Sequence, residues 1–226
     1  MRTYVRRINT SLRNFFRDAD RRYRLRTISP VLFDSCREFV LRPGKRLRPL
    51  LFLLAYQGYK RAGGRQTTGL FTASAAVELL HDYMLIHDDV IDRASTRRGK
   101  PTLHRIFDKK IATVSGVRIG QELAVVAGDI LFALAIESFL AIRENPRRKE
   151  EALRHLVATA AYTGTGEFID VVFGHTALDA IRARDVTNTT IYKTAKYTFE
   201  CPLLMGAALA GAPAREKRAL SRLGLT

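Results

Sequence analysis

The sequence predicts an all-α fold, and three observations support this. Apolar residues recur with the helical period along almost the whole chain, no stretch shows the alternation of a half-buried strand, and Gly or Pro residues separate the periodic segments. The 226 residues suffice for a large core, and 46% hydrophobic with 27% charged residues is a globular composition. We therefore expect a single helical domain over residues 1–226.

The helices are predicted in order from their apolar spacing and their end signals. Val5, Ile8, Leu12, Phe15 and Phe16 share one face of a first amphipathic helix. Proline is favoured in the first turn of a helix, and Gly or Pro residues follow its end. On these signals we expect further helices over about Pro30–Val40, Pro49–Arg61 (before Gly63-Gly64), Thr72–Asp92, Val117–Arg143, Arg147–Phe173, from near Thr187 past Lys193, and from Ala214 onward.

The strongest functional signal is the acidic end of the helix that closes with His87-Asp88-Asp89-Val90-Ile91-Asp92. Asp88 and Asp92 are four residues apart, so they share a helix face and repel each other. They also lie at the helix C-terminus, where the macrodipole disfavours negative charge. This arrangement points to a bound cation. Mg²⁺ fits, because it takes one or two carboxylates and completes its shell with water and substrate phosphates.

Basic turns lie on both sides of this acidic end in the sequence. Arg97-Arg98-Gly99-Lys100-Pro101 follows it and supplies forked donors for phosphate oxygens. Upstream, Gly44-Lys45-Arg46-Leu47-Arg48-Pro49 predicts a turn whose three cations can converge on one anion. The two turns therefore predict a phosphate site.

One face of the same helix predicts a pocket. At about 100° per residue, His81, Asp88 and Asp92 lie within roughly 20° of one line. Leu80 and Met84 lie below Asp88 on that side. Such a face would line a pocket with a charged mouth and an apolar depth.

The net charge of +16 indicates acidic partners, which are nucleic acid, an anionic membrane surface or phosphorylated small molecules. Nucleic acid is disfavoured. The arginines are spread along the whole chain, and no helix-turn-helix, RRM or zinc-finger signature occurs.

The cellular location is predicted from cysteines and apolar runs. Cys36 and Cys201 match no metal or redox spacing, as expected of reduced core residues in an intracellular protein. The stretches Leu123–Ile136 and Cys201–Ala214 are interrupted and shorter than the roughly 20 residues of a membrane span. The arginine-rich segment Met1–Arg26 lacks the apolar run of a secretory signal. We expect a cytoplasmic protein without a transmembrane segment.

Five motifs in one order carry a resemblance to a known family. They are Gly44–Pro49, Glu78–Asp92, Arg97–His104, Gly166–Val171 and Tyr192–Ala195. With this order and spacing, the chain from about Arg42 onward resembles the trans-type isoprenyl diphosphate synthases of isoprene biosynthesis. The resemblance implies antiparallel helices around a deep central cavity, usually in a homodimer. It also implies a Mg²⁺-dependent transferase that condenses isopentenyl diphosphate with an allylic diphosphate and releases diphosphate.

Carried over residue by residue, the resemblance assigns roles to the candidate site. It implies that isopentenyl diphosphate is bound by Lys45, Arg48, His81 and Arg98. It makes Asp88 and Asp92 the Mg²⁺ ligands, with Asp89 supporting them. It gives the allylic diphosphate to Arg97, Lys193 and Thr194. The catalytic set it implies is Asp88, Asp89, Asp92, Arg97 and Lys193.

The resemblance also implies a product length. Bulk at the fourth and fifth positions before the first aspartate motif, here Met84 and Tyr83, would set the floor of the tail pocket. This pair favours a geranylgeranyl product, with farnesyl as the alternative. On the helical wheel Met84 lies near Asp88, whereas Tyr83 is about 140° away.

Two departures from the family pattern affect the expected activity. Glu167 stands where the family has glutamine, and a second aspartate-rich motif expected beyond Tyr192–Ala195 does not occur in the 226 residues. We therefore expect a C-terminally incomplete form that shows little or no condensation.

Two alternative functions are kept beside chain elongation. A non-catalytic subunit of a heteromeric prenyl synthase would explain the missing second motif. A terpene cyclase could share the aspartate motif, but it would not need Gly44–Pro49 and Arg97-Arg98 for a second diphosphate.

Overall fold

The computed structural model describes residues 2–60, 67–111 and 116–225. Within these ranges the chain is almost entirely helical, which confirms the predicted all-α class. The α-helices are α1 (Arg2–Tyr23), α2 (Leu25–Ile28), α3 (Pro30–Val40), α4 (Leu47–Tyr59), α5 (Leu70–Ile91), α6 (Leu103–Lys110), α7 (Gly120–Leu140), α8 (Pro146–Phe173), α9 (Ala183–Thr190), α10 (Cys201–Ala210) and α11 (Ala214–Leu225). A 3₁₀ turn covers Leu178–Ala180, and a π-helix covers Ile191–Glu200 between α9 and α10.

The structure corrects the sequence predictions in a few places. The short helices α2 and α6 were not predicted. The expectation that no strand occurs is wrong, since β1 (Thr96–Arg97) pairs antiparallel with β2 (Lys100–Pro101). Strands of two residues are too short to show an alternating pattern. The predicted end of the third helix at Arg61, before Gly63-Gly64, lies outside the described residues.

The chain divides into two compact units. One comprises Met1–Arg46 with Phe71–Ala141, and the other comprises Leu47–Leu70 with Ile142–Thr226. The expectation of a single domain stays a prediction. The two units are called unit 1 and unit 2 below.

The core of unit 1 is built on the apolar face of α1. Ile8, Leu12, Phe16 and Ala19 recur every three or four residues and are buried, as the amphipathic pattern predicts. The Phe16 ring meets Phe33 of α3 edge to face at 5.9 Å between ring centroids. This contact fixes α1 against α3.

Proline and an oxygen-bearing cap start α3 and α8 at the predicted places. Ser29 Oγ accepts a hydrogen bond from the backbone N–H of Leu32 at 3.4 Å, and Pro30 follows it. Asn145 Oδ1 caps α8 in the same way, and Pro146 follows. These caps satisfy N–H groups that have no partner inside the helix.

Unit 2 depends on a close approach between α4 and α10. A Cβ atom at Gly206 would lie 2.2 Å from the Phe52 carbonyl oxygen, so only glycine allows this helix spacing. Helix α10 then ends at Gly211 with φ 80°. The N–H of Ala212 donates to the Ala207 carbonyl at 2.9 Å, as in a Schellman motif.

Helix α7 is longer than the apolar stretch Leu123–Ile136 that the sequence analysis considered. It is 21 residues long with a mean hydropathy of 2.1 in its most apolar window, and among the described helices it alone could cross a membrane by length and composition. In the structure 44% of that window is buried. Core helices of water-soluble proteins pass the same test, so this helix does not establish a membrane protein.

Candidate functional site

The acidic end of α5 is shaped by a Schellman motif in unit 1. The Ala94 N–H donates to the Asp89 carbonyl at 2.9 Å, and the Arg93 N–H donates to the Val90 carbonyl at 3.2 Å. Arg93 takes the left-handed conformation, with φ 53°. The Asp92 N–H donates to the Asp88 carbonyl at 2.8 Å, so these two residues are one helical turn apart, as predicted.

A tight hairpin follows and presents the arginine pair. Arg97 and Lys100 are paired residues of β1 and β2, which leaves Arg98 and Gly99 as a two-residue turn. Both turn residues have positive φ, 54° and 73°, the combination of a type I′ turn. Glycine adopts this conformation freely, whereas Arg98 does so under strain.

Arg97 bridges two carboxylates of the acidic end. Its Nη2 donates to Asp88 Oδ2 at 2.9 Å and to Asp89 Oδ1 at 2.5 Å, and its Nε also donates to Asp89 Oδ1 at 2.8 Å. Asp92 is exposed. The structure brings Asp88, Asp89 and Arg97 together, with the guanidinium bonded to the carboxylates rather than held apart for an anion.

The electrostatics of Asp89 differ from those of an exposed aspartate. Burial raises its pKa, the hydrogen bond and charge of Arg97 act in the opposite direction, and the like charges of Asp88 and Asp92 raise it further. Among the described residues, no hydrogen-bond donor reaches the buried Asp89 Oδ2. This site can therefore accept additional positive charge.

Two lines of titratable residues run along α5, of which one was predicted from the sequence. The predicted line is His81, Asp88 and Asp92. The second line lies about 80° around the helix and comprises Glu78, Asp82 and Asp89, within roughly 40° of each other. All three carboxylates of this second line are buried.

Each buried carboxylate of the second line has an arginine partner in unit 1. Arg46 Nη1 donates to Glu78 Oε1 at 2.5 Å. Arg98 Nη2 lies 3.5 Å from Asp82 Oδ1, and Arg97 bonds Asp89 as described. These pairs neutralise charge that would be costly to bury alone.

Arg46 therefore corrects the prediction that three cations of the first basic turn converge on one anion. Its guanidinium is buried, and besides Glu78 it donates to Asn9 Oδ1 at 2.9 Å and to the carbonyls of Val40 and Arg42. Its φ of 51° lets the chain turn back over α5. Arg46 holds the turn in place and is not available to a ligand.

Lys45 remains exposed at the same turn. The turn and the hairpin are neighbours in unit 1, because a Cβ atom at Gly44 would lie 3.7 Å from Arg98 Nη1. The structure thus places Lys45 and Arg98, two of the predicted isopentenyl diphosphate ligands, on adjacent loops. His81 lies half-buried on α5.

A second set of ion pairs supports the hairpin from α3. Arg42 is buried, forms a forked hydrogen-bond pair with Glu38, and donates to the Arg97 carbonyl at 3.4 Å. Lys100 Nζ donates to the same Glu38 at 2.8 Å. Both hairpin strands are therefore tied to α3.

Tyr83 and Met84, the predicted chain-length residues, are half-buried on α5. The Tyr83 ring packs 5.3 Å from Phe132 of α7 and 4.6 Å from the His87 ring, measured between centroids. Burial raises the pKa of Tyr83, and the negative charge of Asp129 adds to this. Tyr83 thus faces α7, in agreement with its wheel position away from Asp88.

Unit 2 carries Arg48, Lys193 and Thr194 of the predicted site. Arg48 Nη2 donates to Thr198 Oγ1 at 2.7 Å, and its guanidinium carbon lies 4.3 Å from the centroid of the Tyr197 ring. Both partners belong to the π-helix. Arg48 therefore orders the helix that presents the lysine.

Lys193 is held by two carboxylates of α8. Its Nζ lies 3.0 Å from Glu167 Oε2 and 2.6 Å from Asp170 Oδ2. A Cβ atom at Gly166 would lie 2.5 Å from the Lys193 backbone nitrogen, so glycine permits α8 and the π-helix to approach closely. Thr194 follows on the exposed side. π-Helical turns are often found at functional sites.

The described ranges contain no ready-made metal cage: no three Asp, Glu, His or Cys side chains there are placed to hold one metal ion. Asp88 and Asp92 offer two carboxylates one turn apart, which is the number that Mg²⁺ takes when substrate phosphates complete its shell. The donor set fits a metal that binds together with a substrate.

The sequence analysis missed Glu78, Asp82, Glu38 and Arg42 as parts of this region. A signal for the first two existed. Glu78, Asp82 and Asp89 are spaced four and seven residues apart on an otherwise apolar helix, a pattern that buries carboxylates only if cations meet them.

Sequence comparisons relate this chain to known proteins. The sequence profile of the family described as polyprenyl synthetase matches residues 29–226. The short chain isoprenyl diphosphate synthase of Methanocaldococcus jannaschii is 31% identical over 199 residues, covering 86% of this chain and 54% of that protein. A chloroplastic geranylgeranyl pyrophosphate synthase of Arabidopsis thaliana is 32% identical over 190 residues, covering 81% of this chain and 48% of that protein. The chain thus spans about half the length of these curated relatives.

The solved structures point to the same fold. A geranylgeranyl pyrophosphate synthase of Corynebacterium glutamicum, in complex with isoprenyl diphosphate and magnesium, superposes with a TM-score of 0.83 at 26% identity. The match covers 98% of this chain and 63% of that one. Together with the aspartate motif on α5 and the arginine hairpin beside it, these matches show that the chain belongs to the polyprenyl synthetase family of prenyltransferases.

Proposed function

We propose that this protein serves Mg²⁺-dependent prenyl chain elongation, in which isopentenyl diphosphate and an allylic diphosphate give a short-chain prenyl diphosphate and diphosphate. The observation that carries the proposal is the end of α5, where Asp88 and Asp89 meet the forked guanidinium of Arg97. Asp92 lies one helical turn beyond Asp88. The polyprenyl synthetase profile and the relatives named as geranylgeranyl synthases support the reaction class.

The residues of the site suit a reaction that creates charge on a leaving diphosphate. Asp88 and Asp92 would hold Mg²⁺, which when bound supplies the neutralisation of that charge. Fixed cations add to it without reorganising during the reaction. Arg97 already lies against Asp88 and Asp89, so it is oriented before a substrate arrives.

In this proposal two sets of residues each bind one of the two diphosphates. Lys45, Arg48, His81 and Arg98 bind isopentenyl diphosphate, while Arg97, Lys193 and Thr194 bind the allylic diphosphate. The adjacent positions of Lys45 and Arg98 in unit 1 support the first assignment. The exposure of Thr194 and the partial exposure of Lys193 support the second.

The experiment is a calorimetric titration of the chain with farnesyl diphosphate and with isopentenyl diphosphate, with and without Mg²⁺. A radiometric condensation assay is run on the same preparation. We expect binding of the allylic diphosphate that depends on Mg²⁺. Absence of binding of either diphosphate under both conditions would contradict the proposal. The condensation assay should show little or no turnover. Full-rate turnover would overturn that expectation and would also exclude the second candidate, a non-catalytic subunit of a heteromeric synthase.

Product length is assigned to Tyr83 and Met84, with geranylgeranyl diphosphate favoured and farnesyl diphosphate next. Removing the Tyr83 ring would open space against Phe132. In a form of the protein that turns over, we therefore expect Tyr83→Ala to lengthen the products, as measured by chromatography of the dephosphorylated alcohols. Leu54→Ala, at an exposed position of α4, is the control for a truncated side chain. An unchanged product distribution in Tyr83→Ala would remove this residue from the chain-length role.

A homodimer is also proposed. Helix α7 exposes Val125, Val126 and Leu140 to the solvent, with 54% exposure at Val126, and exposed apolar side chains on one helix support a protein interface. Sedimentation equilibrium checks this. A mass of one 25.5 kDa chain at all concentrations would contradict the dimer.

A cytoplasmic location is the last part of the proposal. Cys36 and Cys201 are buried free thiols, and burial raises the pKa of each to about 12. Such cysteines are packing residues and match a reducing compartment. Fluorescence imaging of a tagged chain in its host would test the location.

A further inference from the structure

Lys193 of unit 2 lies between two carboxylates. Its Nζ is 3.0 Å from Glu167 Oε2 and 2.6 Å from Asp170 Oδ2. By comparison, Lys196 on the same π-helix pairs with the single carboxylate of Glu200 at 2.9 Å.

The cluster is fixed by the backbone rather than by flexible side chains alone. Gly166 brings α8 against the π-helix at the Lys193 backbone nitrogen, and Glu167 is the next residue. Glu167 and Asp170 are three residues apart, so they lie on neighbouring positions of one helix face. As long as α8 and the π-helix stay packed at Gly166, both carboxylates therefore lie next to Lys193.

The lysine is accessible in spite of these partners. Lys193, Thr194 and Asp170 line a cavity of about 220 Å³ together with apolar side chains of α8 and α9. Burial opposes the charged amine, but the hydrogen bonds that Lys193 donates to Asp170 and Glu167 outweigh it and raise the pKa of Lys193. The amine is therefore protonated at neutral pH, and an anion entering the cavity must compete with carboxylates for it.

We propose that Glu167 is a built-in competitor for Lys193 that lowers the affinity of this lysine for a diphosphate. The inference rests on the proposed function, in which Lys193 binds the allylic diphosphate. It gives a physical meaning to the glutamate found where the resembled family has glutamine. A glutamine at position 167 would keep the size and one hydrogen-bond acceptor of the glutamate, but it would remove one negative charge next to the place where the anion binds Lys193.

The test compares the binding of inorganic pyrophosphate, in Mg²⁺-free buffer, to the full chain and to its variants by calorimetry. We expect Glu167→Gln to bind roughly two- to tenfold more tightly than the parent chain, the range expected for removing one partly solvated charge beside an anion. Asp170→Asn should shift affinity in the same direction. Lys193→Met should bind more weakly than the parent.

The matched control is Glu150→Gln. Glu150 lies on the same helix α8, pairs with Arg154 at 2.7 Å, and loses the same charge when changed to glutamine. It should bind pyrophosphate like the parent. An equal gain in affinity in Glu150→Gln would mean a general charge effect and would overturn the inference.

The outcomes separate this inference from the proposed function. If Lys193→Met weakens binding while Glu167→Gln does not tighten it, Lys193 keeps its proposed role and the competitor role is wrong. If Lys193→Met binds like the parent, the assignment of Lys193 to a diphosphate fails and the inference fails with it.

A second measurement tests the ion pair between Glu167 and Lys193 without any ligand. Amine-reactive esters modify only the unprotonated amine, so Lys193 should be acylated faster in Glu167→Gln than in the parent, as measured by mass spectrometry of its peptide. Lys196, which is paired with Glu200, serves as the internal reference. Equal acylation rates of Lys193 in both chains would show that Glu167 does not hold it.

Discussion

Replacing Arg46 with alanine should lower the free energy of unfolding by about 3–5 kcal/mol, because it leaves the buried carboxylate of Glu78 without its cation. It would also remove the hydrogen bonds to Asn9 and to the carbonyls of Val40 and Arg42. Urea denaturation followed by circular dichroism measures this change. A loss below about 1 kcal/mol, the value of a surface ion pair, would contradict the described burial of the pair.

Two further variants make the Arg46 result specific. Glu38→Gln removes a half-exposed partner of Arg42 and Lys100, so it should cost much less than Arg46→Ala. The double variant Arg46→Met with Glu78→Leu should recover most of the lost stability, because apolar residues of similar size often replace a buried ion pair without cost.

In a form of the protein that turns over, replacing Asp88 with asparagine should lower the condensation rate by roughly 10²–10³, the size expected when a charge-stabilising group is lost from an active site. The same variant should lose the Mg²⁺-dependent part of its affinity for farnesyl diphosphate. The fold should persist, since a like charge is removed from the C-terminal end of α5. The measurements are the radiometric condensation assay and calorimetry.

Asp18→Asn is the control for the Asp88 variant. Asp18 is an exposed carboxylate of α1 that pairs only with neighbouring arginines, Arg17 and Arg21, among the described residues. The Asp18→Asn variant should bind farnesyl diphosphate with Mg²⁺ like the parent, and in the form that turns over it should keep the parent's condensation rate. Equal activity of Asp88→Asn and the parent would remove Asp88 from the proposed metal site.

The sequence was sufficient to predict the long helices and the acidic end of α5. Helical periodicity depends on local spacing, and prolines such as Pro30 and Pro146 mark starts that the structure reproduces. The position of Asp92 one turn beyond Asp88 follows from helix geometry alone. These are properties of single segments, so one sequence contains them.

The ion-pair partners of the basic residues could not be predicted from helical periodicity. Whether Arg46 faces a ligand or Glu78 depends on how a turn packs against α5, some thirty positions later in the chain. The ion pairs of Lys193 with Glu167 and Asp170 likewise depend on the close approach that Gly166 permits between α8 and the π-helix. Such contacts join distant segments, and periodicity has no signal for them.

The left-handed arginines have a consequence for making a more heat-tolerant enzyme. Described non-glycine residues with positive φ are all arginines, at positions 24, 46, 93 and 98. Among the described residues, no ion pair uses the side chain of Arg24 or Arg93, so glycine there would relieve strain of up to about 1 kcal/mol each at no cost in contacts. The same exchange at Arg46 or Arg98 would remove the partners of Glu78 and Asp82. An engineer could therefore raise the melting temperature at two of these turns and should leave the other two unchanged.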